Sequence, residues 1–187
     1  MTIVKLSDAI KLRNSRAQPN LWFTPYSVPK RLRDIHSKFF PDIPHEVEIY
    51  SVNRGPLACI CHADSSATIY IHQVLNHSDT PIEVVDLLCK HELIHLRVPP
   101  LVKDDKTIQH PPEFWEEEHR ICPERNVAWD WIWDNHWACL KKRPRLERVD
   151  VLPNWRKIWS MPKLSPENSA RIQDRRGSTF NSQDGYF

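Results

Sequence analysis

The sequence predicts a mixed α+β fold, a small antiparallel sheet packed on helices with the helix around His91–His95 at its centre. Three observations lead there. Short segments between Val47 and His72 alternate apolar and polar residues, the period of a half-buried strand. The run from Pro81 to about Leu96 holds no helix breaker until Val98-Pro99-Pro100. Further helical patterns bounded by proline stand on either side. With 187 residues, 40 % of them hydrophobic, and eight tryptophans, the chain can bury one core. We expect one domain over residues 1–160 and a polar, basic, flexible tail over 161–187.

In chain order, residues 3–17 suit a short amphipathic helix with Ile3, Leu6 and Ile10 inward. Asn20 to Pro29, rich in proline and aromatic residues, is a packed connector. A second helix spans Lys30 to Phe40. Leu32, Ile35, Phe39 and Phe40 form its apolar face, and Pro41 and Pro44 end it. Strands follow at Val47–Val52, Leu57–His62 and Ala67–His72, divided by turns at Asn53-Arg54-Gly55-Pro56 and Ala63-Asp64-Ser65-Ser66. Cys59, Cys61, His62 and His72 are suitable residue types for a metal cluster. Alternation nevertheless sends Cys59 and Cys61 to one face and His62 to the other. The two cysteines are therefore expected in the core, as small hydrophobes.

The central helix has a start signal, with Thr80 as N-cap, Pro81 at the first helical position and Glu83 closing a capping box. Apolar residues cover most of its circumference, leaving Glu83, Asp86, Lys90 and Arg97 as a polar stripe, so the helix is mostly buried. It contains His91-Glu92-Leu93-Ile94-His95. Residues four apart share a helix face, so His91 and His95 can hold one metal ion. Burying both imidazoles without partners is costly, and a metal satisfies them together. Imidazole nitrogen suits Zn²⁺. Glu92, about 100° round the helix from His91, stands where its carboxylate can take a proton from a water at the metal.

Leu101 to Gln109 reads as a polar surface loop. His110 follows, fifteen positions after His95, just ahead of a helix opened by Pro111 or Pro112 and running to about Ile121. A loop of that length can fold back and complete a three-histidine site. The helix also carries Glu113, Glu116, Glu117, Glu118 and His119, each a rival third ligand. A carboxylate there can instead orient a ligand imidazole through its free N–H.

In the segments 91–95 and 110–115 the sequence resembles the SprT-like zinc metalloprotease family. Its members combine H-E-x-x-H, a loop of about this length, and a histidine followed by a small residue or proline and an aromatic. The resemblance extends loosely over Ile69 to Trp115. It implies a zincin-type fold, a single Zn²⁺, hydrolysis of peptide bonds in a protein or peptide substrate, His91, His95 and His110 as ligands, and Glu92 as general base. Pro111 stands where the family usually has glycine. Gluzincins take a glutamate from the following helix instead, which keeps Glu117 as the alternative third ligand. By analogy with zincins, an edge strand over the cleft pairs with an extended substrate, and Ile69, Tyr70, Ile71 and His72 are the expected edge.

Beyond Pro123 a helix is expected from about Glu124 to Lys142, with Trp129, Trp133 and Trp137 as a core-packing stripe and His136 as a candidate hydrogen-bond donor at the site. Residues 141–187 hold eleven Lys and Arg against five Asp and Glu, a net +6, while the remainder is −4. Lys141-Lys142-Arg143-Pro144-Arg145 is the densest basic run, and Trp155 and Trp159 are expected to dock on the domain. Basic residues interleaved with tryptophan suit nucleic acid. The alternative to a protease is thus a non-proteolytic zinc module whose basic region binds nucleic acid or a protein partner. Five cysteines without a C-x-x-C pair, and no apolar leader, predict reduced thiols and a cytoplasmic location. No apolar run approaches a membrane span.

Overall fold

The computed structural model describes residues 22–159, so the helix expected at 3–17 and the tail expected at 161–187 lie outside the described residues. Helix α1, Val28–Phe39, opens where the Ser27 hydroxyl accepts a hydrogen bond from the Lys30 backbone N–H at 3.4 Å, with Pro29 in the first turn. Its buried face is Val28, Leu32 and Ile35. The connector ahead of it is tied down as expected, since the Tyr26 hydroxyl donates to the Thr80 and Pro81 carbonyls at 3.0 Å.

The three strands form where alternation places them, as β1 Glu46–Val52, β2 Ala58–His62 and β3 Ser66–His72, but the sheet is mixed. Its order is β1-β3-β2, with β3 parallel to β1 and antiparallel to β2. The antiparallel sheet expected from sequence is corrected on this point. Ile69-Tyr70-Ile71 is a continuous apolar run, buried along its length as suits a central strand. Glu46 and Glu48 instead leave β1 exposed on one face, as suits an edge. Ile49, Ile60, Ile69 and Ile71 join the main core, while Cys59, Cys61, Val52 and Tyr70 make a smaller cluster. All five cysteines are buried and free, consistent with the core role predicted for Cys59 and Cys61.

Helix α2, Ile82–Arg97, carries the histidine motif and packs on α1 and β2. Pro81 takes the N-cap position and no side chain caps the helix. The expected capping box does not form, because the Thr80 hydroxyl donates to the Leu75 carbonyl at 2.8 Å. Every residue from Val84 to His95 is buried, the predicted polar positions Asp86 and Lys90 included. Each is matched by an opposite charge from a neighbouring element. Arg31 of α1 reaches Asp86 through its Nε at 2.6 Å and through a second, shorter contact, and Lys90 Nζ donates to Glu124 at 2.7 Å. Buried charges survive only when paired and hydrogen-bonded, so these pairs fix the angular setting of α2 as well as its depth.

The segment expected as a loop after α2 is a hairpin, β4 Leu101–Lys103 and β5 Lys106–Ile108. Asp104 and Asp105 form its two-residue turn at φ 50° and 58°, left-handed values that aspartate tolerates better than most residues. Helix α3, Pro112–Ile121, starts at the predicted proline. Helix α4, Arg125–His136, is shorter than expected and gives way to a 3₁₀ turn and the hairpin of β6 Leu140–Arg143 and β7 Arg148–Val151. The tryptophan stripe is therefore graded. Trp129 is fully buried, Trp133 packs on the core's margin, and Trp137, past the end of α4, is 37 % exposed. Helix α5, Trp155–Trp159, docks as predicted. Trp155 sits edge-on to His72 and Trp159 stacks on His136. No helix among the described residues is long and apolar enough to cross a membrane.

Candidate metal centre

Two elements supply the centre. His91 and His95 project one turn apart from α2, and His110 arrives from the end of the β4–β5 hairpin, one residue ahead of the Pro111 N-cap of α3. The hairpin turns the chain back, so the fifteen-residue separation closes to ring–ring distances of 5.1 Å for His91–His110 and 4.9 Å for His95–His110. The His91 and His95 rings are 5.3 Å apart. One ring nitrogen from each lies within 4.8 Å of the others, and all three residues are buried. Phe114, on the first turn of α3, packs against all three rings at 4.6–4.8 Å and is itself fully buried. It gives the cluster an apolar wall that limits solvent access.

Two carboxylates orient the rings from behind. Glu118 Oε1 lies 2.5 Å from His91 Nδ1, and its Oε2 accepts from Arg125 Nε at 2.5 Å. Glu147, on the turn between β6 and β7, places Oε2 at 2.9 Å from His110 Nδ1. With Nδ1 of each ring directed at a carboxylate, Nε2 is the nitrogen left to face a cation, the carboxylate–histidine arrangement common around protein-bound metals. Neither ring nitrogen of His95 makes a hydrogen bond, although the residue is buried. An imidazole left that way is costly, and a metal ion at the meeting point of the three rings satisfies it.

The electrostatics agree. Burial pushes the His91, His95 and His110 imidazoles below their ordinary value, and for His95 and His110 the neighbouring imidazoles add to the effect. All three are therefore neutral near pH 7, the form that binds metals. Burial likewise raises Glu92 to about 8, Glu118 adds to the rise, and the Ile60 backbone N–H of β2 opposes it. Neither Glu92 oxygen meets a partner in ordinary hydrogen-bond geometry. Glu118 behaves differently. Burial disfavours its charge, but His91 and Arg125 outweigh burial and hold it below the usual carboxylate range. Two buried carboxyl groups are thus shifted in opposite directions by their neighbours.

The structure brings His91, His95 and His110 together as the sequence predicts, and Glu92 is buried on α2 next to His91 in sequence. It removes Glu117 as the third ligand, because Glu117 is bound to Arg97 at 2.5 Å and to Arg120 at 2.7–2.8 Å. His119 is exposed and uses Nδ1 on the Trp115 carbonyl. His136 is buried between Trp131 and Trp159. Ile69, Tyr70, Ile71 and His72 are corrected as an edge. They lie in the central strand, each paired with β1, and Ile69 to Ile71 are paired with β2 as well. Their backbone is already committed to the ladder and cannot accept a substrate strand. The strand that borders Glu92 is β2. Glu118 stood in the sequence among several acidic candidates, distinguished by nothing local. Glu147, thirty-seven residues beyond its partner, carried no signal at all. The sequence matches no protein-family model and no curated protein.

Proposed function

We propose that this chain is a zinc-dependent metalloendopeptidase with a zincin-type fold of the SprT-like kind. The observation that carries the proposal is the conjunction of three buried, neutral imidazoles within reach of one cation and a buried carboxyl group, Glu92, adjacent to the first of them in sequence. Three nitrogen ligands with carboxylate support behind them suit zinc in a catalytic setting, where one position stays open. The SprT-like reading rests on residues 91–95 and 110–115, and His110 in place supports it.

His91, His95 and His110 would hold the zinc ion, which when bound would supply Lewis acidity to a carbonyl and lower the pKa of an attacking water. Glu92 takes the proton of that water as it adds to the peptide carbonyl carbon, and returns it to the departing amine nitrogen as the C–N bond breaks. Burial raises the Glu92 carboxyl in the metal-free chain, and a cation beside it would lower it again, toward the range in which a carboxylate accepts the proton and then returns it. Glu118 keeps the His91 imidazole in the tautomer that presents Nε2. Phe114 excludes water from the side of the rings it covers. The substrate backbone is proposed to align along β2. The Ala63 N–H bonds to the Ser66 carbonyl at 2.8 Å. By the alternation of an antiparallel ladder this turns the polar groups of Ile60 and His62 away from β3.

The test is substitution of the base. Glu92→Gln is expected to bind zinc as the parent does and to lose peptide hydrolysis by a factor of about 10² or more, while His95→Ala loses both. Cleavage of a peptide by Glu92→Gln at the parental rate would falsify the assignment. A second reading, a non-catalytic zinc module, draws on the exposed Lys141, Arg143 and Arg145 of the β6–β7 hairpin. DNA affinity that falls steeply with salt, unaffected by Glu92→Gln and unaccompanied by any hydrolysis, would favour it.

A further inference from the structure

We infer that Glu147 is a positioning residue of the metal centre, holding both the backbone and the ring of His110 so that Nε2 of this third imidazole meets the same cation as His91 and His95. The inference rests on the three-histidine centre proposed above. It makes the β6–β7 hairpin, which lies in the basic region, a structural part of that centre.

Three observations converge. First, a single carboxylate oxygen grips His110 twice. Glu147 Oε2 accepts from the His110 backbone N–H at 2.9 Å and contacts its Nδ1 at 2.9 Å. The two bonds fix both ends of the side chain's lever, so χ1, the ring flip and the tautomer are set together. Second, the local chain does not do this by itself. His110 precedes α3, and Pro111 beside it has no N–H to offer. The backbone N–H of His110, left outside the helix ladder, goes to Glu147. The side chain of His110 is fully buried, so a misplaced ring would have no water to turn to.

Third, Glu147 pays for its position in backbone conformation. It lies at φ 47°, ψ 45°, in the left-handed region, closing the turn after Pro144 with its N–H on the Pro144 carbonyl at 3.1 Å. Glycine occupies that region without steric cost, and a glutamate there is crowded by its own β-carbon. A turn serving only to reverse the chain would be better built with glycine or asparagine. A strained residue whose side chain reaches a candidate ligand points to function. The same device serves His91, where Glu118 is the carboxylate, so two of the three imidazoles are oriented from outside their own element.

The experiment uses the full-length chain with zinc, and compares Glu147→Gly, Glu147→Gln and His110→Ala. Zinc affinity is read by competition with a chromophoric chelator, coordination by the visible spectrum of the Co²⁺-substituted protein, and apo stability by thermal denaturation. Glu147→Gly is expected to weaken zinc binding about 10–100-fold and to alter the Co²⁺ spectrum. Its apo thermal midpoint should change little, because relief of the left-handed turn offsets the two hydrogen bonds lost at His110. Glu147→Gln, whose amide oxygen can still accept both bonds, should stay within about threefold of the parent. Parental zinc affinity and an unchanged Co²⁺ spectrum in Glu147→Gly, alongside weakened binding in His110→Ala, would overturn the role of Glu147 while leaving the centre intact. A loss of apo stability matching the loss of metal would reduce Glu147 to a folding contact and overturn the inference equally. Unchanged zinc affinity in His110→Ala would remove the centre, and Glu147's role with it.

Discussion

Glu118 is the point at which the stability of the fold and the chemistry of the site can be separated by experiment. It is fully buried and lies between Arg125, whose side chain is 8 % exposed, and His91, whose side chain is 1 % exposed. Replacing it with leucine takes the carboxylate from the Arg125 guanidinium, which keeps the Trp115 ring beside it. At an effective dielectric near 20, unit charges about 4 Å apart interact by about 4 kcal/mol, in line with the roughly 3–5 kcal/mol lost when one partner of a buried ion pair is removed. For a chain of this size that corresponds to a fall of roughly 6–20 °C in thermal midpoint. Glu118→Leu should also weaken zinc binding about 10–100-fold, because His91 Nδ1 loses the group that orients it. Removing the guanidinium charge as well, in Glu118→Leu with Arg125→Met, should restore most of the stability. It should not restore the metal affinity. The assay is denaturant unfolding of the apo protein beside chelator competition for the four members of the cycle. Additive, small losses in stability would refute the buried-pair argument, and recovery of zinc affinity in the double variant would refute the orienting role.

Three further outcomes follow from the same structure. Burial holds His72 down to about 4, so it stays neutral in the folded chain while the unfolded chain takes up a proton near 6.5. Its contribution is therefore undiminished above about pH 6.5 and is lost as pH falls toward 4, roughly 2 kcal/mol by pH 5. His72→Asn, which can still accept from the Val74 N–H, should flatten that limb relative to the parent, and identical acid slopes would contradict it. Removing zinc with a chelator should lower the thermal midpoint, since zinc at about a thousandfold over its Kd stabilises by roughly 4 kcal/mol. The absence of a shift would mean that no metal is held. Glu124→Ala, which leaves the buried Lys90 ammonium without its carboxylate, should destabilise by roughly 3–5 kcal/mol without changing zinc affinity. A parallel loss of zinc would show that Lys90 acts on the site.

What the sequence revealed of this fold is what depends on period and punctuation. The spacing of His91 and His95 on an unbroken helical run, the alternation of the three strands, and the prolines that open α1 and α3 are local properties, and each element formed within a few residues of its expected place. Strand order is not local. Alternation assigns faces but does not choose neighbours, and the continuous run Ile69-Tyr70-Ile71 was the only hint that β3 would be central. The β4–β5 hairpin was legible in principle, because Asp104-Asp105 is a pair that tolerates the left-handed turn, yet the density of charge around it read as loop. The departure of Thr80 from its capping role was decided by the Leu75 carbonyl, five residues back but in another element.

The site divides along the same line. His91, Glu92 and His95 are carried by one helix, so their geometry could be read from spacing. His110 needed the chain to reverse between two strands, which the sequence left open against Glu117. Arg97 and Arg120 occupy the rival carboxylate, while His110 lies with the other two histidines. Glu118 and Glu147 become meaningful only when distant segments meet, and no periodic signal marks either. Residues that hold a ligand can be guessed from chemistry alone, whereas residues that hold the ligand's holder are fixed by the fold.

The measurement that bears most directly on the central claim is X-ray absorption at the zinc edge on the purified full-length chain, repeated on His110→Ala. The account predicts one zinc per chain with three imidazole nitrogens at about 2.0–2.1 Å, one of them lost in the variant. Sulfur in the first shell, or a first shell indifferent to the loss of His110, would contradict it.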